Sequence, residues 1–474
     1  KLYATEHPLF LGEYRQAFRD SNLSFDFGYT QGYKNSSISK KLGDKSHFFS
    51  SFIKKFQHDS TKESNLEINL QEVSDKKYLK LYRIKSNLVE NFETSTLENY
   101  INYNYFDDEQ DLFLDLRASI YTDLNDTYND KYEYILPEIN VNKNLYSEKF
   151  GSGSFNTNIK IHNYDTNKYE KFFVNDLNWT YDKTFTDFPY RGEILTNLKN
   201  VNYETENVTK FKKNTTNEIY GALGYLASLD LVKTGNEKFN HLLKPKILLK
   251  YSPNHMKKEI GEHHLHRKNI FSLDRLNSSS NYEGGSSLTY GFDYSQTGSN
   301  KLNFTIGQII NEKKNNKNMP DSSSLDNRFS DIVGNFNYNK SDNFKIDYNY
   351  SLDQNLKEIN YNEINTDYTL GDVKFNINYL EENNITEPKE YLKSTIEIKK
   401  GDNGLFSFSN KRNIITSSSE FYNLSYEYIN DCLRAGLVYR REFYNDSELE
   451  AENTLLFKVT LSPFGSLSSP GLSQ

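Results

Sequence analysis

Phe344-Lys345-Ile346-Asp347-Tyr348-Asn349-Tyr350-Ser351-Leu352 sets an apolar or aromatic side chain at every second position and a polar one between. A two-residue period belongs to a strand with one apolar and one polar face, because successive Cβ atoms point to opposite sides. The device returns along the whole chain, at Leu23, Phe25, Phe27 and Tyr29, at Leu66, Ile68 and Leu70, at Ile101, Tyr103 and Tyr105, and at Leu112, Leu114 and Leu116. It continues through Leu288, Tyr290, Phe292 and Tyr294, then Val373, Phe375, Ile377 and Tyr379, then Leu424, Tyr426 and Tyr428, and finally Leu455, Phe457, Val459 and Leu461. Apolar centres recur about every 15 to 20 residues, which fits a spanning strand of about 9–11 residues plus its connector. That spacing predicts roughly 24 to 28 strands, with no helical stretch between them.

Composition sharpens the choice of architecture. Only 36% of residues are hydrophobic, which for a soluble protein approaches the disordered range, yet the chain holds 37 Tyr and 32 Phe. Abundant aromatics in phase with a strand period exclude disorder, and a membrane barrel reconciles the two facts because its lumen face and loops are polar. The expected fold is therefore all-β, a large closed antiparallel transmembrane β-barrel, read as one domain over residues 1–474. Tyr29, Tyr105, Tyr294 and Tyr379 close strands and suit girdles at a membrane interface. The net charge of -8 gives no electrostatic footprint for nucleic acid. No apolar run reaches about 18 residues, so any membrane crossing uses strands.

Connectors alternate between short ones such as Lys340-Ser341-Asp342-Asn343 and long ones, Asn254 to Lys268 and Asn311 to Asn327, which read as exposed loops. Short turns on one side and long loops on the other are the habit of outer-membrane barrels. Chemistry is sparse. His255, Glu262, His263, His264 and His266 share one polar loop, but neighbouring residues of an extended segment point apart and only His264 and His266 would share a face. No metal or other cofactor is assigned. Glu283-Gly284-Gly285 lacks any phosphate-binding pattern and reads as a turn or bulge entering the next strand, and no catalytic constellation can be assembled, so no enzyme is expected. Cys432 is the only cysteine, which leaves two readings, a small packed hydrophobe or a disulfide to a residue elsewhere. The opening Lys1-Leu2-Tyr3-Ala4-Thr5 has no initiator Met and no signal peptide, as expected of a processed chain or a fragment.

Four ordered segments resemble the LptD (OstA) family of outer-membrane barrels that assemble lipopolysaccharide. They are Pro8 to Gln16 with Glu13-Tyr14-Arg15; Leu243 to Tyr251 with Asn269 to Arg275 and Glu283-Gly284-Gly285; Ile306-Gly307-Gln308 with Ser330 to Gly334; and Leu424 to Cys432 with Tyr439-Arg440-Arg441 and Leu455 to Leu461. The resemblance implies a barrel of 26 strands preceded by a periplasmic jellyroll domain that this sequence does not contain. It also implies an outer-membrane location in a Gram-negative bacterium, lipopolysaccharide as cargo, an LptE-type lipoprotein plug inside the barrel, and a periplasmic bridge reached through that amino-terminal domain. Cys432 matches a cysteine position that in the family is joined by disulfide to the amino-terminal region. The family passes its cargo through a polar lumen, to which Lys345, Asp347 and Asn349 would belong, and a lateral gate between first and last strands. Here the gate would involve Leu2, Tyr3 and Pro8 on one side and Leu455, Phe457, Val459 and Leu461 on the other. Pro8 would weaken that seam if it lies within a strand, and would not if it lies in the first turn. Other large barrels, porins or TonB-dependent transporters, and a secreted β-solenoid adhesin are the alternatives, the last expected to show a short repeat that is not found.

Overall fold

The computed structural model describes residues 6–473 except 36–41, 90, 91, 93, 125–132, 185–188, 210, 212–214, 235–238, 254, 260, 299, 341, 342, 386, 431, 432, 443–452, 462–464 and 469–471. Among the described residues, 26 strand segments join one sheet in which neighbours in sequence pair antiparallel. Leu231–Thr234 continues Thr216–Leu229, since both pair in one alignment with Phe239–Tyr251. Gly465–Ser468 and Leu472–Ser473 both return onto Asn453–Leu461. Joining the first pair and setting the two short returns apart leaves 23 long strands in a meander. Dividing the whole length by one spacing predicts more, because residues 252–286 and 312–331 are connectors longer than that spacing allows for.

The register explains why the alternation is so regular. Phe304 faces Phe336 and Phe336 faces Tyr348, while Asn303 faces Asn337 and Asn337 faces Asp347. Like therefore stands opposite like across successive strands, and a slip of one residue would exchange the two faces. The same separation runs on to the carboxyl end, through Phe406 opposite Tyr426 and Leu437 opposite Phe457.

The chain divides into two compact units, residues 1–178, 199–219 and 445–450, and residues 179–198, 220–444 and 451–474. In the first, Leu66 faces Tyr103 and Tyr103 faces Leu116 on the apolar side. The opposite side carries a ladder in which Asn140 donates to Asp115 at 3.2 Å and Asn158 donates to Asn140 at 2.5 Å. A short α-helix, Tyr78–Tyr82, lies in the connector after Lys62–Val73. Alternation in Tyr78-Leu79-Lys80-Leu81-Tyr82 is ambiguous over five residues, and burial decides for a helix: Tyr78, Leu79 and Tyr82 pack with Phe49, Leu97 and Leu9. Tyr78 reaches His47 at 3.1 Å, and His47 reaches Asp26 at 3.1 Å.

In the second unit, connectors at one strand edge are short and those at the other are long. Ser287–Gly298 passes to Asn300–Asn311 and Ile359–Leu370 to Val373–Glu382 within a few residues, whereas residues 252–286 and 312–331 fill the opposite edge. Sequence patterning reads Asn254 to Lys268 and Asn311 to Asn327, within these connectors, as exposed loops. They instead fold onto the polar side of the sheet, where Met256, Leu265, Met319 and Leu325 join Ile309 and Val333 in a buried cluster. Isolated apolar residues in a polar stretch carry no period, and tertiary packing supplies the partners that patterning does not show.

Candidate functional site

The site is built from one strand and its connector in the second unit. Phe239–Tyr251 turns Ile247, Leu249 and Tyr251 to one side and Lys246, Leu248 and Lys250 to the other, with Leu248 fully buried. After Tyr251 the chain leaves the sheet, and the pair Ser252 and Gly285 exchanges two backbone hydrogen bonds at 3.2 and 3.1 Å, tying the two ends of the connector together. Residues 252–286 thus begin and end at the same point and are held as one folded loop.

Within it, Glu283 Oε1 lies 2.7 Å from Lys250 Nζ and 3.0 Å from Arg275 Nη1, and all three side chains are at most 3% exposed. Glu283 Oε2 also accepts a hydrogen bond from the Arg275 backbone N–H at 3.0 Å, and Asp274 Oδ1 accepts from the Glu283 N–H at 3.3 Å. Burial alone would raise the Glu283 carboxyl, but the adjacent Arg275 and Lys250 charges hold it below the usual glutamate value. Removing one member of such a set leaves buried charge uncompensated, a cost of about 3–5 kcal/mol. The ion triad therefore pins the connector to the strand.

Packing completes the dock. A Cβ on Gly307 would come within 2.9 Å of Ile270 Cδ1, and one on Gly224 within 2.5 Å of Leu273 Cδ2, so bare backbone at these two strand positions lets the connector lie close. The second long connector joins the first through Asn318, whose carbonyl accepts from Glu259 N–H at 2.8 Å. It returns through Ser330, whose carbonyl accepts from Gln308 Nε2 at 2.9 Å. Asp331 then accepts from Ser351 Oγ at 2.8 Å and Asn360 Nδ2 at 2.7 Å, and burial raises its carboxyl.

Beyond the connectors the polar face is a lattice of amides and carboxylates. Asp347 Oδ1 accepts from Asn335 and Asn349, each at 3.1 Å, while Asp347 Oδ2 accepts from Asn337 at 2.8 Å. Asn349 donates to Glu363 at 3.0 Å. Lys345 shares this face opposite Asn339. The three residues named from sequence as lumen-lining thus stand on one polar strip.

Of the remaining candidates, Leu2, Tyr3 and Cys432 lie outside the described residues, as does the side chain of Leu461. Pro8 precedes the first strand, Phe10–Ala17, in an interruption between that strand and the isolated bridge Glu6–Tyr33. The sequence places the first strand earlier, around Leu2 to Phe10. Leu455 and Phe457 are exposed on the apolar face, and Val459 pairs with Leu467 of the returning segment, so another strand segment follows the one expected to be last. The histidine loop disperses: His255 stacks on Tyr220, His263 lies 3.5 Å from Glu259, and His264 lies 2.9 Å from Glu382. Among the described residues no three His, Cys, Asp or Glu side chains converge as a metal would require. Sequence reasoning misses the Lys250, Arg275 and Glu283 triad, although all three residues lie in segments that carry the family resemblance.

Comparison with known families places the chain. The model of the family described as LPS transport system D, LptD, matches residues 49–431, most of the chain and both sets of folded connectors. The chain belongs to the LptD family. A search among curated proteins finds no match. LptD-family proteins are non-enzymatic and handle lipopolysaccharide in its transport and assembly at the Gram-negative outer membrane, and that is the role and location of this chain. No helix among the described residues is long and apolar enough to cross a membrane, which says nothing of strands.

Proposed function

We propose that residues 1–474 form one closed transmembrane barrel that inserts lipopolysaccharide into the outer leaflet. The observation that carries this is the sheet's division into an apolar and a polar face, kept from strand to paired strand. In hydrocarbon each unsatisfied backbone group costs several kcal/mol, so a sheet that crosses a membrane with open edges is untenable. Closure removes both edges and turns Lys345, Asp347 and Asn349 into lumen lining for the glycan.

The acyl chains require a different exit. Phe10–Ala17 has 8 residues, against 17 in Tyr190–Glu206. A seam beside this short first strand forms few ladder bonds, which supports a lateral gate there, between it and the strands at the carboxyl end. Leu2, Tyr3 and Pro8 flank its amino-terminal side, and Leu455, Phe457, Val459 and Leu461 back its carboxyl-terminal side. In this reading the short turns face the periplasm and the long connectors face outward. Ser418–Ile429 and Leu433–Glu442 meet at the short-turn edge, which supports a disulfide from Cys432 to a periplasmic residue outside this sequence. An LptE-type lipoprotein would occupy the lumen, and the periplasmic bridge would deliver cargo through an amino-terminal domain. Heat-modifiable gel migration of the membrane-extracted protein tests closure: a faster band that disappears on boiling is expected, and a single band unaffected by heat contradicts it.

A further inference from the structure

The apolar face of the second unit carries a groove that lumen and gate leave unused. Ile194, Leu223, Leu249, Tyr251, Leu288 and Ile310 line about 690 Å³, within the roughly 300–1,000 Å³ usual for small-ligand clefts. Leu249 and Tyr251 are 54% and 62% exposed, turned away from the connectors packed on the other face. Tyr225 lies over Gly192, where a Cβ would fall 2.5 Å from its hydroxyl, so the ring lies along the sheet and leaves the slot beside it open. At the long-connector edge the lining changes character, to Ser286, Glu312 and Arg328. Arg328 is exposed, and Glu312 is followed by exposed Lys313. Glu312 lies 3.8 Å from Lys313, so the carboxylate at this rim is matched by Lys313 and accompanied by the guanidinium of Arg328.

An apolar slot ending in a cationic rim matches an amphiphile with hydrocarbon chains and phosphate, since guanidinium and ammonium groups form charge-assisted bonds to phosphate oxygens. We propose that the groove binds an acyl chain of a phosphorylated outer-leaflet glycolipid, whose phosphate is held by Arg328 with Lys313. The proposal rests on the reading above, that this face meets lipid and the long connectors face outward. Such a site would hold glycolipid against the wall on strands other than the first and last.

The test uses the full chain carrying Trp179→Phe, which removes the only tryptophan, and Tyr251→Trp, which places an indole at the groove. It is reconstituted in brominated phosphatidylcholine vesicles. Bromine should quench the indole, diphosphoryl lipid A should relieve that quenching at a few mole per cent, and phosphatidylethanolamine of equal chain length should not. Replacing Arg328 and Lys313 by alanine should raise the lipid A needed for half relief by about tenfold, the scale of one charge-assisted contact, and restoring a cation as Arg328→Lys should recover part of it. Heat-modifiable migration checks that each variant folds, and Leu249→Trp serves as the reporter if Tyr251→Trp does not. Quenching relieved equally by both lipids, or indifferent to the charge removals, overturns the groove while leaving the transport reading intact. No quenching at all overturns the lipid-facing reading beneath it.

Discussion

Glu283 of the folded connector and Lys250 of the strand it covers stand 2.7 Å apart with side chains 3% and 0% exposed. Arg275 shares the same carboxylate oxygen. Two buried cations depend on one anion, so the carboxylate is the member whose loss matters most.

Glu283→Gln should therefore undock residues 252–286 without disturbing strand register. Loss of a buried charge partner costs about 3–5 kcal/mol, which corresponds to amide exchange at Ile270 to Leu276 faster by a hundredfold or more. Hydrogen exchange measured by mass spectrometry reads this directly. Unchanged protection at Ile270, with its neighbours Gly307 and Ile309, would show that apolar packing alone holds the connector.

The same contact sets a pH window. Glu283 has a folded value below its usual 4.5, so its stabilisation is complete above that value and is lost as pH falls through the depressed folded one. Asp331 has the opposite sign. Burial raises its folded value above 3.8, so its contribution is greatest when protonated and declines as pH rises through the folded value. Exchange protection of residues 270–276, corrected for intrinsic rates, should hold from pH 7 to 5 and fall only below pH 4.5. In Glu283→Gln that acid step should vanish, and loss of protection between pH 6 and 5 would contradict the assignment.

Gly291 and Gly307 face each other across Ser287–Gly298 and Asn300–Asn311 but tolerate different changes. A Cβ on Gly291 would meet the Ile306 carbonyl oxygen at 2.1 Å, which is backbone, whereas one on Gly307 meets the tip of Ile270 at 2.9 Å. Side-chain tips move more readily than a paired strand. Gly291→Ala should cost at least the about 1–3 kcal/mol typical of overpacking, and Gly307→Ala should cost less. Urea unfolding in lipid vesicles gives the order, and a reversed order would refute the packing argument.

The strand pattern is legible because each segment is two-faced and its neighbours are too, so local alternation in Phe344 to Leu352 and the register to Ile332–Lys340 carry one message. The polar strip can be named for the same reason. How the connectors use that strip cannot be read in this way. Met256, Leu265, Met319 and Leu325 are scattered among polar residues, and their common cluster exists only once the strands place Ile309 and Val333 beneath them. Glu283 sits in a glycine-rich stretch with every mark of a turn, and its partners lie 33 and 8 residues earlier in the sequence, at Lys250 and Arg275. The returning segment Gly465–Ser468 is hidden by its composition, since one leucine among Gly465, Ser466 and Ser468 shows no reliable period.

A lateral gate between the first and last strands is best tested by locking it. Paired cysteines would be placed singly along Phe10–Ala17 and along Gly465–Ser468, with Tyr3 and Val459 as a further pair, each single substitution serving as control. Surface lipopolysaccharide would be measured before oxidation, after oxidation and after reduction. If cargo leaves through this seam, at least one pair should crosslink in the heat-modifiable form, stop lipopolysaccharide delivery, and release it again on reduction. Efficient crosslinking with delivery unchanged would mean that the cargo leaves elsewhere.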